Sequence, residues 1–305
     1  MLILLASKYP FMEFVLFDTG KKKSRPGFLT DNKVVDLIDA PLDHTASETP
    51  EHSLFPFLKR STEIHQLLSE NDISQSYVYD SESVSLRRPW SPEKIICLEG
   101  CYEQDLTDNG YDPQLVGEDF HQQDWPSVSV APKSALRGPS ETLRIPSYAE
   151  DVRPGAEIGL IVGERAKQLD TETSLEPIVG YTPVTNLRIF DGIPNLEGYK
   201  MYDGSFAYGP SVMPLDEADI RSLDIVVEIN GEKIERRITT EWRFSPENLV
   251  AEASQIMTLE PGDLITTGVP TRIPDAVTDG DTLTVHTGDS HRLTNKIKQD
   301  KIHVE

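Results

Sequence analysis

Apolar and polar residues alternate loosely from Met12 to Asp18, and Lys33 to Leu37 repeats the pattern after a turn containing Gly and Pro. That alternation predicts two early strands. A polar stretch from Pro41 to Ser53 reads as a loop, beyond which Thr62 is placed to cap a short helix. Ile64, Leu67 and Leu68 lie on one face of that helix, which ends near Asn71. Arg87-Arg-Pro-Trp-Ser-Pro92 holds two prolines in four residues, a spacing that excludes regular structure and marks a linker. The chain is therefore expected to divide into residues 1–91, a small N-terminal α/β domain with its linker, and residues 92–305.

In the second part, Lys94 to Leu98 is a short apolar strand, followed by an acidic segment punctuated by Gly and Pro from Glu99 to Pro126. Glu157 to Val162 is almost continuously apolar after its first residue. From Leu223 to Ile238 two alternating runs flank Asn230-Gly231, the pair favoured in a type I′ hairpin. A helix follows, with Ser245 as its cap, Pro246 in its first position and Leu249, Val250, Ala253, Ile256 and Met257 on one face. Glu260-Pro-Gly-Asp263 then turns the chain into a strand from Leu264 to Thr267. Many short strands and few helices predict an α+β, mainly β fold rather than a βαβ array. Gly-rich phosphate loops and internal repeats are absent from the sequence.

Charge narrows the range of partners. Across 305 residues, 29 Lys and Arg face 51 Asp and Glu, a net charge of −22. Such an excess repels a phosphate backbone, so nucleic acid is excluded as a partner. Scattered acidic residues also suit a protein kept soluble in concentrated salt, a halophilic surface. No apolar run is long enough for a membrane span, and Met1 to Ala6 lacks the basic flank of a signal peptide. Cys97 and Cys101, with no second Cys pair and no neighbouring His, suggest neither zinc nor a disulfide framework. A reduced, cytoplasmic location is the expectation.

Seven segments in register carry a resemblance: Lys94-Ile-Ile-Cys-Leu98, Ser134-Ala-Leu-Arg-Gly-Pro139, Glu157-Ile-Gly-Leu-Ile-Val-Gly163, Gly180-Tyr-Thr182, Lys200-Met-Tyr-Asp203, Gly209-Pro210 and Met257 to Gly268. Together they resemble the fumarylacetoacetate hydrolase family over roughly residues 93 to 300. The resemblance implies a mixed β-sandwich roll, usually a homodimer, acting on a small anionic 2-oxo acid. It also implies Mg²⁺ held by a Glu-x-Glu pair and a downstream Asp, where hard oxygen ligands suit the ion and the ion stabilises an enolate.

Carried over residue by residue, that site is incomplete. The first metal Glu falls on Gly155 and the second on Glu157, while the metal Asp falls on Asn186 and the Arg beyond it on Phe190. The family's His and Glu fall on Asp105 and Asp108, and a Thr falls on Val269. With Glu157 and a neutral Asn186 as the remaining ligands, Mg²⁺ is expected to bind weakly or not at all, and Gly155→Glu with Asn186→Asp to restore it. Lys200 then faces either an anionic ligand or Asp203, three residues away. The candidate catalytic residues are Lys200, Asp203, Asp105 and Asp108, together with His121 and Glu118 as a replacement acid–base pair in the family's lid segment. Tyr202, Thr267 and Gly268 are candidate substrate contacts. The implied reactions are C–C hydrolysis of an acylpyruvate or dehydration of a 2-oxo-3-deoxy sugar acid. The alternatives are a degenerate paralogue that binds a small anion and a subunit that pairs with an active homologue.

Overall fold

A computed structural model describes residues 13–30, 32–39, 54–70, 77–102, 125–191, 199–215, 219–240, 242–270, 273, 275–288 and 290–301. The N-terminal segment forms strands β1 (Glu13–Asp18), β2 (Arg25–Thr30) and β3 (Lys33–Asp36), helices α1 (Phe55–Leu58) and α2 (Ser61–Glu70), and short strands β4 (Val78–Asp80) and β5 (Ser85–Arg87). Then come β6 (Ile95–Glu99), β7 (Ser127–Ala131), β8 (Leu136–Arg137), β9 (Leu143–Ile145), β10 (Val152–Val162) and β11 (Ile178–Ile189). The chain continues through β12 (Phe206–Tyr208), β13 (Ser211–Pro214), β14 (Asp224–Ile229), β15 (Glu232–Ile238) and α3 (Pro246–Ile256). Last are β16 (Leu264–Thr266), β17 (Thr282–Thr287) and β18 (Leu293–Gln299). The expected mainly-β architecture is what these elements build.

Among the described residues a 13-stranded sheet runs β4-β3-β2-β1-β13-β11-β10-β16-β6-β7, with β5, β8 and β12 attached at its sides. A 5-stranded sheet runs β15-β14-β17-β18-β9. β10 and β11 form an extended antiparallel pair at the middle of the larger sheet, with Gly155 opposite Asn186 and Glu157 opposite Val184. β16 pairs antiparallel with the far side of β10, and β6 runs parallel to β16. Burial on both faces explains the nearly unbroken apolar run seen in β10. Ile158, Leu160 and Val162 pack into one core with Leu249, Val250 and Ala253 of α3. Ile161, Val184 and Leu264 face a second core shared with Phe14, Phe28 and Leu54.

β2 departs from expectation, since the Gly and Pro containing segment read as a turn is in part a strand. Its first residue, Arg25, donates to buried Asp36 through both Nε (3.1 Å) and Nη2 (2.9 Å), which ties β2 to β3 more firmly than local propensity would. β1 pairs with β13, so strands from either side of residue 92 share the larger sheet. The expected linker is pinned as well: Trp90 Nε1 donates to the Gly262 carbonyl at 2.8 Å, and the Tyr208 hydroxyl donates to the Trp90 carbonyl.

The hairpin matches its sequence signal, with Asn230 at φ 54° and Gly231 at φ 83° supplying the two left-handed residues of the turn. Ser245 caps α3 by accepting the Asn248 N–H at 3.3 Å. Ile256, placed by periodicity on the apolar face, is 54% exposed because the helix ends there. Ser245→Ala should lower the unfolding free energy by about 1 kcal/mol, read as a reduced urea midpoint at constant slope. An unchanged midpoint would mean that water or Asn248 replaces the cap.

Candidate active site

Strand period places the candidate residues together. Gly155 and Glu157 on β10, and Val184, Asn186 and Arg188 on β11, have the parity that faces the second core, as do Cys97 and Glu99 on β6. Lys200 reaches the same point from the segment that leads into β12, where Phe206 pairs with Asn186. Its ammonium lies 5.6 Å from the centre of the Phe206 ring. Ser205 fixes that segment by donating its hydroxyl to the carbonyls of Lys200 (2.5 Å) and Tyr202 (2.6 Å).

Glu157 is at the centre and wholly buried. Its Oε1 accepts from Lys200 Nζ at 3.0 Å and from Asn186 Nδ2 at 2.5 Å, and its Oε2 accepts from the Gly268 N–H at 3.0 Å. Lys200 Nζ also pairs with Glu99 Oε1 at 3.1 Å. Arg188 Nη2 is 3.8 Å from Oε1 of both Glu157 and Glu99, and its Nε donates to Asn186 Oδ1 at 3.2 Å. One orientation of the Asn186 amide satisfies both neighbours, its N–H toward the carboxylate and its carbonyl toward the guanidinium.

Among the described residues, two carboxylates and two cations thus face one another. Burial opposes the charge on Glu157, but Lys200 and then Arg188 outweigh it and hold the carboxyl below its usual range. Burial also opposes the charge on Lys200, and Glu157 and then Glu99 outweigh it, so the ammonium stays protonated well above its ordinary value. The Cys97 thiol, by contrast, is pushed up to about 12 by burial and is no nucleophile at neutral pH. The cluster is graded in access: the Lys200 side chain is 1% exposed, Arg188 7% and Glu99 24%.

The structure brings Lys200, Glu157, Asn186 and Gly268 together. It places other candidates elsewhere. Asp203 is exposed, and the partners of Lys200 are Glu157 and Glu99, which removes the Lys200–Asp203 pair that was one of the two alternatives; the acids are held by the sheet, whereas Asp203 points to solvent on the turn. Thr267 donates to the Ile158 carbonyl at 3.2 Å and meets the Tyr102 hydroxyl at 3.4 Å, so its hydroxyl serves the scaffold. The Tyr202 hydroxyl is buried with no hydrogen-bond partner among the described residues, and burial raises its pKa. Asp105, Asp108, Glu118 and His121 lie outside the described residues.

Arg188 and Glu99 were missed from sequence. The signal for Arg188 was its spacing two residues after Asn186, which on a strand gives the same face. The resemblance puts the family's Arg four residues on, at Phe190, whose ring instead stacks under Arg153 at 4.8 Å. Glu99 carried the signal of a lone acid ending the apolar run of β6.

The three metal positions of the family do not fit a divalent ion here. A Cβ at Gly155 would lie 2.8 Å from both Asn186 Oδ1 and Val269 Cγ2, so no side chain enters without displacing them. Glu157 has both oxygens engaged, and the Asn186 carbonyl is engaged by Arg188. A cation added there would also stand beside Lys200 and Arg188, against Coulomb repulsion. Restoring the metal by Gly155→Glu, expected from the sequence, therefore meets a steric barrier. Among the described residues no group of three His, Cys, Asp or Glu side chains is arranged to hold a metal, and none of their helices is long and apolar enough to cross a membrane.

Known proteins share this fold. A maleylpyruvate hydrolase of Sphingobium sp. SYK-6, also solved with manganese(II) and pyruvate, superposes with a TM-score of 0.71 at 20% identity, over 95% of this chain and 100% of that one. A fumarylacetoacetate hydrolase of the psychrophile Exiguobacterium antarcticum gives 0.71 at 21% identity, over 95% and 100%. In sequence, the chain is 31% identical over 186 residues to an uncharacterized protein of Pyrococcus abyssi, covering 59% of this chain and 79% of that protein. It is 28% identical over 209 residues to a mitochondrial oxaloacetate tautomerase of Xenopus laevis, covering 65% of this chain and 61% of the relative. The C-terminal model of fumarylacetoacetate (FAA) hydrolase matches residues 94–298, the span that supplies every strand of the Glu157 cluster, and the chain belongs to the fumarylacetoacetate hydrolase family.

Proposed function

We propose that this chain is an enzyme that binds a small 2-oxo acid at the Glu157–Lys200–Arg188–Glu99 cluster and moves a proton at the carbon next to the 2-oxo group. The observation that carries this is the buried Lys200 ammonium, held at 3.0 Å from Glu157 and 3.1 Å from Glu99 with Arg188 alongside. Relatives named as an oxaloacetate tautomerase, an isomerase/decarboxylase of Escherichia coli and a maleylpyruvate hydrolase support the same step. Each of those reactions passes through an enol or enolate, whose developing oxygen charge needs a fixed positive partner.

Lys200 and Arg188 supply that charge. Glu99, the most accessible acid of the cluster, takes the proton from carbon, and its contact with Lys200 at 3.1 Å holds it in place for that task. Glu157 holds the two cations in place and does not touch substrate. Hydrolysis or decarboxylation would then differ from tautomerisation only in which bond to the same carbon breaks.

Exchange of the C3 protons of pyruvate or oxaloacetate for deuterium, followed by NMR in D2O, isolates this step. Glu99→Gln should reduce exchange above the spontaneous rate by about a hundredfold or more, the size expected of a lost general base, with little change in unfolding midpoint. Exchange no faster than the spontaneous rate in the unaltered protein would instead favour the anion-binding paralogue.

A further inference from the structure

We infer that Arg188 takes the place of a divalent ion in this site, so that the chain binds its small acid without metal. The inference rests on the 2-oxo acid reading above and assigns the charge that recognises the acid to a side chain. Arg188 meets the side chains at two of the three positions that hold the metal in the family, and the third position carries no side chain. Its Nη2 faces Glu157 Oε1 at 3.8 Å, its Nε is bonded to Asn186 Oδ1 at 3.2 Å, and the third ligand position, Gly155, lies directly across the strand pair from Asn186.

The changes at the two metal positions, Asn186 and Gly155, are consistent with the guanidinium. Asn in place of Asp gives one N–H for Glu157 and one carbonyl for Arg188, a role that a carboxylate with no donor cannot fill. Gly at 155 leaves the space that Asn186 Oδ1 and Val269 Cγ2 occupy, 2.8 Å from where a Cβ would stand. Among the described residues Lys200 and Arg188 already match Glu157 and Glu99 in charge, which leaves a third carboxylate there without a cation of its own. Arginine suits the task because it stays charged when buried and presents planar donors matched to a carboxylate. It also carries one charge rather than two, so it demands fewer anions around it than Mg²⁺ does.

Calorimetric titration with oxalate, a two-carboxylate mimic of the enolate, tests this on the full chain after dialysis against EDTA. Binding should be present in EDTA and change less than about twofold on adding Mg²⁺ or Mn²⁺. Arg188→Met should weaken oxalate by about tenfold or more, Arg188→Lys should retain most of the affinity, and the thermal midpoint of each variant reports folding. Arg188→Met should also bind Mn²⁺ about tenfold or more tightly than the unaltered protein, read by the loss of the free-ion EPR signal, because it leaves the acids in excess by one charge. Oxalate binding that appears only with Mn²⁺ would overturn the inference and leave the enzyme reading standing. Oxalate that binds in neither condition, with no proton exchange on pyruvate, would overturn both. The unaltered protein in EDTA decides the matter even where a variant does not fold.

Discussion

Replacing Lys200 by methionine should abolish proton exchange and lower stability by about 3–5 kcal/mol, the cost of leaving a buried carboxylate without its principal cation. Glu157 is wholly buried, and Arg188, at 3.8 Å, cannot replace a contact at 3.0 Å. The dependence on pH identifies the cause. In the unaltered protein the folded pKa of Glu157 is lowered, so its contribution is present above the unfolded value of 4.5 and is lost as pH falls through the folded one. The folded pKa of Lys200 is raised, so its contribution is complete below the unfolded value of 10.5 and is lost as pH rises through the folded one. Between those limits the pair favours folding at every pH. In the methionine variant burial prevails and raises the Glu157 pKa, so a penalty grows as pH rises above 4.5. Urea midpoints measured from pH 4 to pH 8 should therefore fall with pH in the variant relative to the unaltered protein. Parallel profiles would show that Glu157 is not held ionised by Lys200.

Gly155→Glu should destabilise the chain by about 3 kcal/mol or more, without gain of Mg²⁺. Its Cβ alone would approach Asn186 Oδ1 and Val269 Cγ2 at 2.8 Å, and Val269 is itself buried. The added carboxylate would then lie beside Glu157 in a cluster whose cations are already matched. Adding Asn186→Asp removes the N–H that Glu157 accepts at 2.5 Å, which places a second anion where a donor had been. Urea denaturation and equilibrium dialysis with Mg²⁺ check both parts. A double variant of normal stability that holds one ion per chain would contradict the steric account.

What was legible in the sequence follows from how local each signal is. The β14–β15 turn and the α3 cap depend on residues within four positions of one another, Asn230-Gly231 and Ser245-Pro246-Glu247-Asn248, and the structure contains both. β2 was not legible, because its partner is Asp36, eleven residues on, and nothing in Arg25-Pro26-Gly27 announces that contact. Glu157 and Lys200 stood out as ionisable residues in segments that resemble a known site. For Lys200 the sequence offers an anionic ligand or Asp203, the acid nearest along the chain, whereas Glu99 lies 101 positions earlier and meets Lys200 only after β6 aligns on β16. Arg188 is readable from strand parity alone, whereas the family spacing points to Phe190.

The unpartnered Tyr202 hydroxyl shows a limit of the same kind. It follows Lys200 by two residues, its burial raises its pKa, and it meets no acceptor among the described side chains.

Crystals grown with Mn²⁺ and oxalate, with data collected at the manganese absorption edge, give the most direct test of a metal-free site. The account predicts oxalate within hydrogen-bonding distance of Arg188 and Lys200, and no anomalous peak between Glu157 and Asn186. An anomalous peak at that position, with oxalate chelating it, would contradict the account.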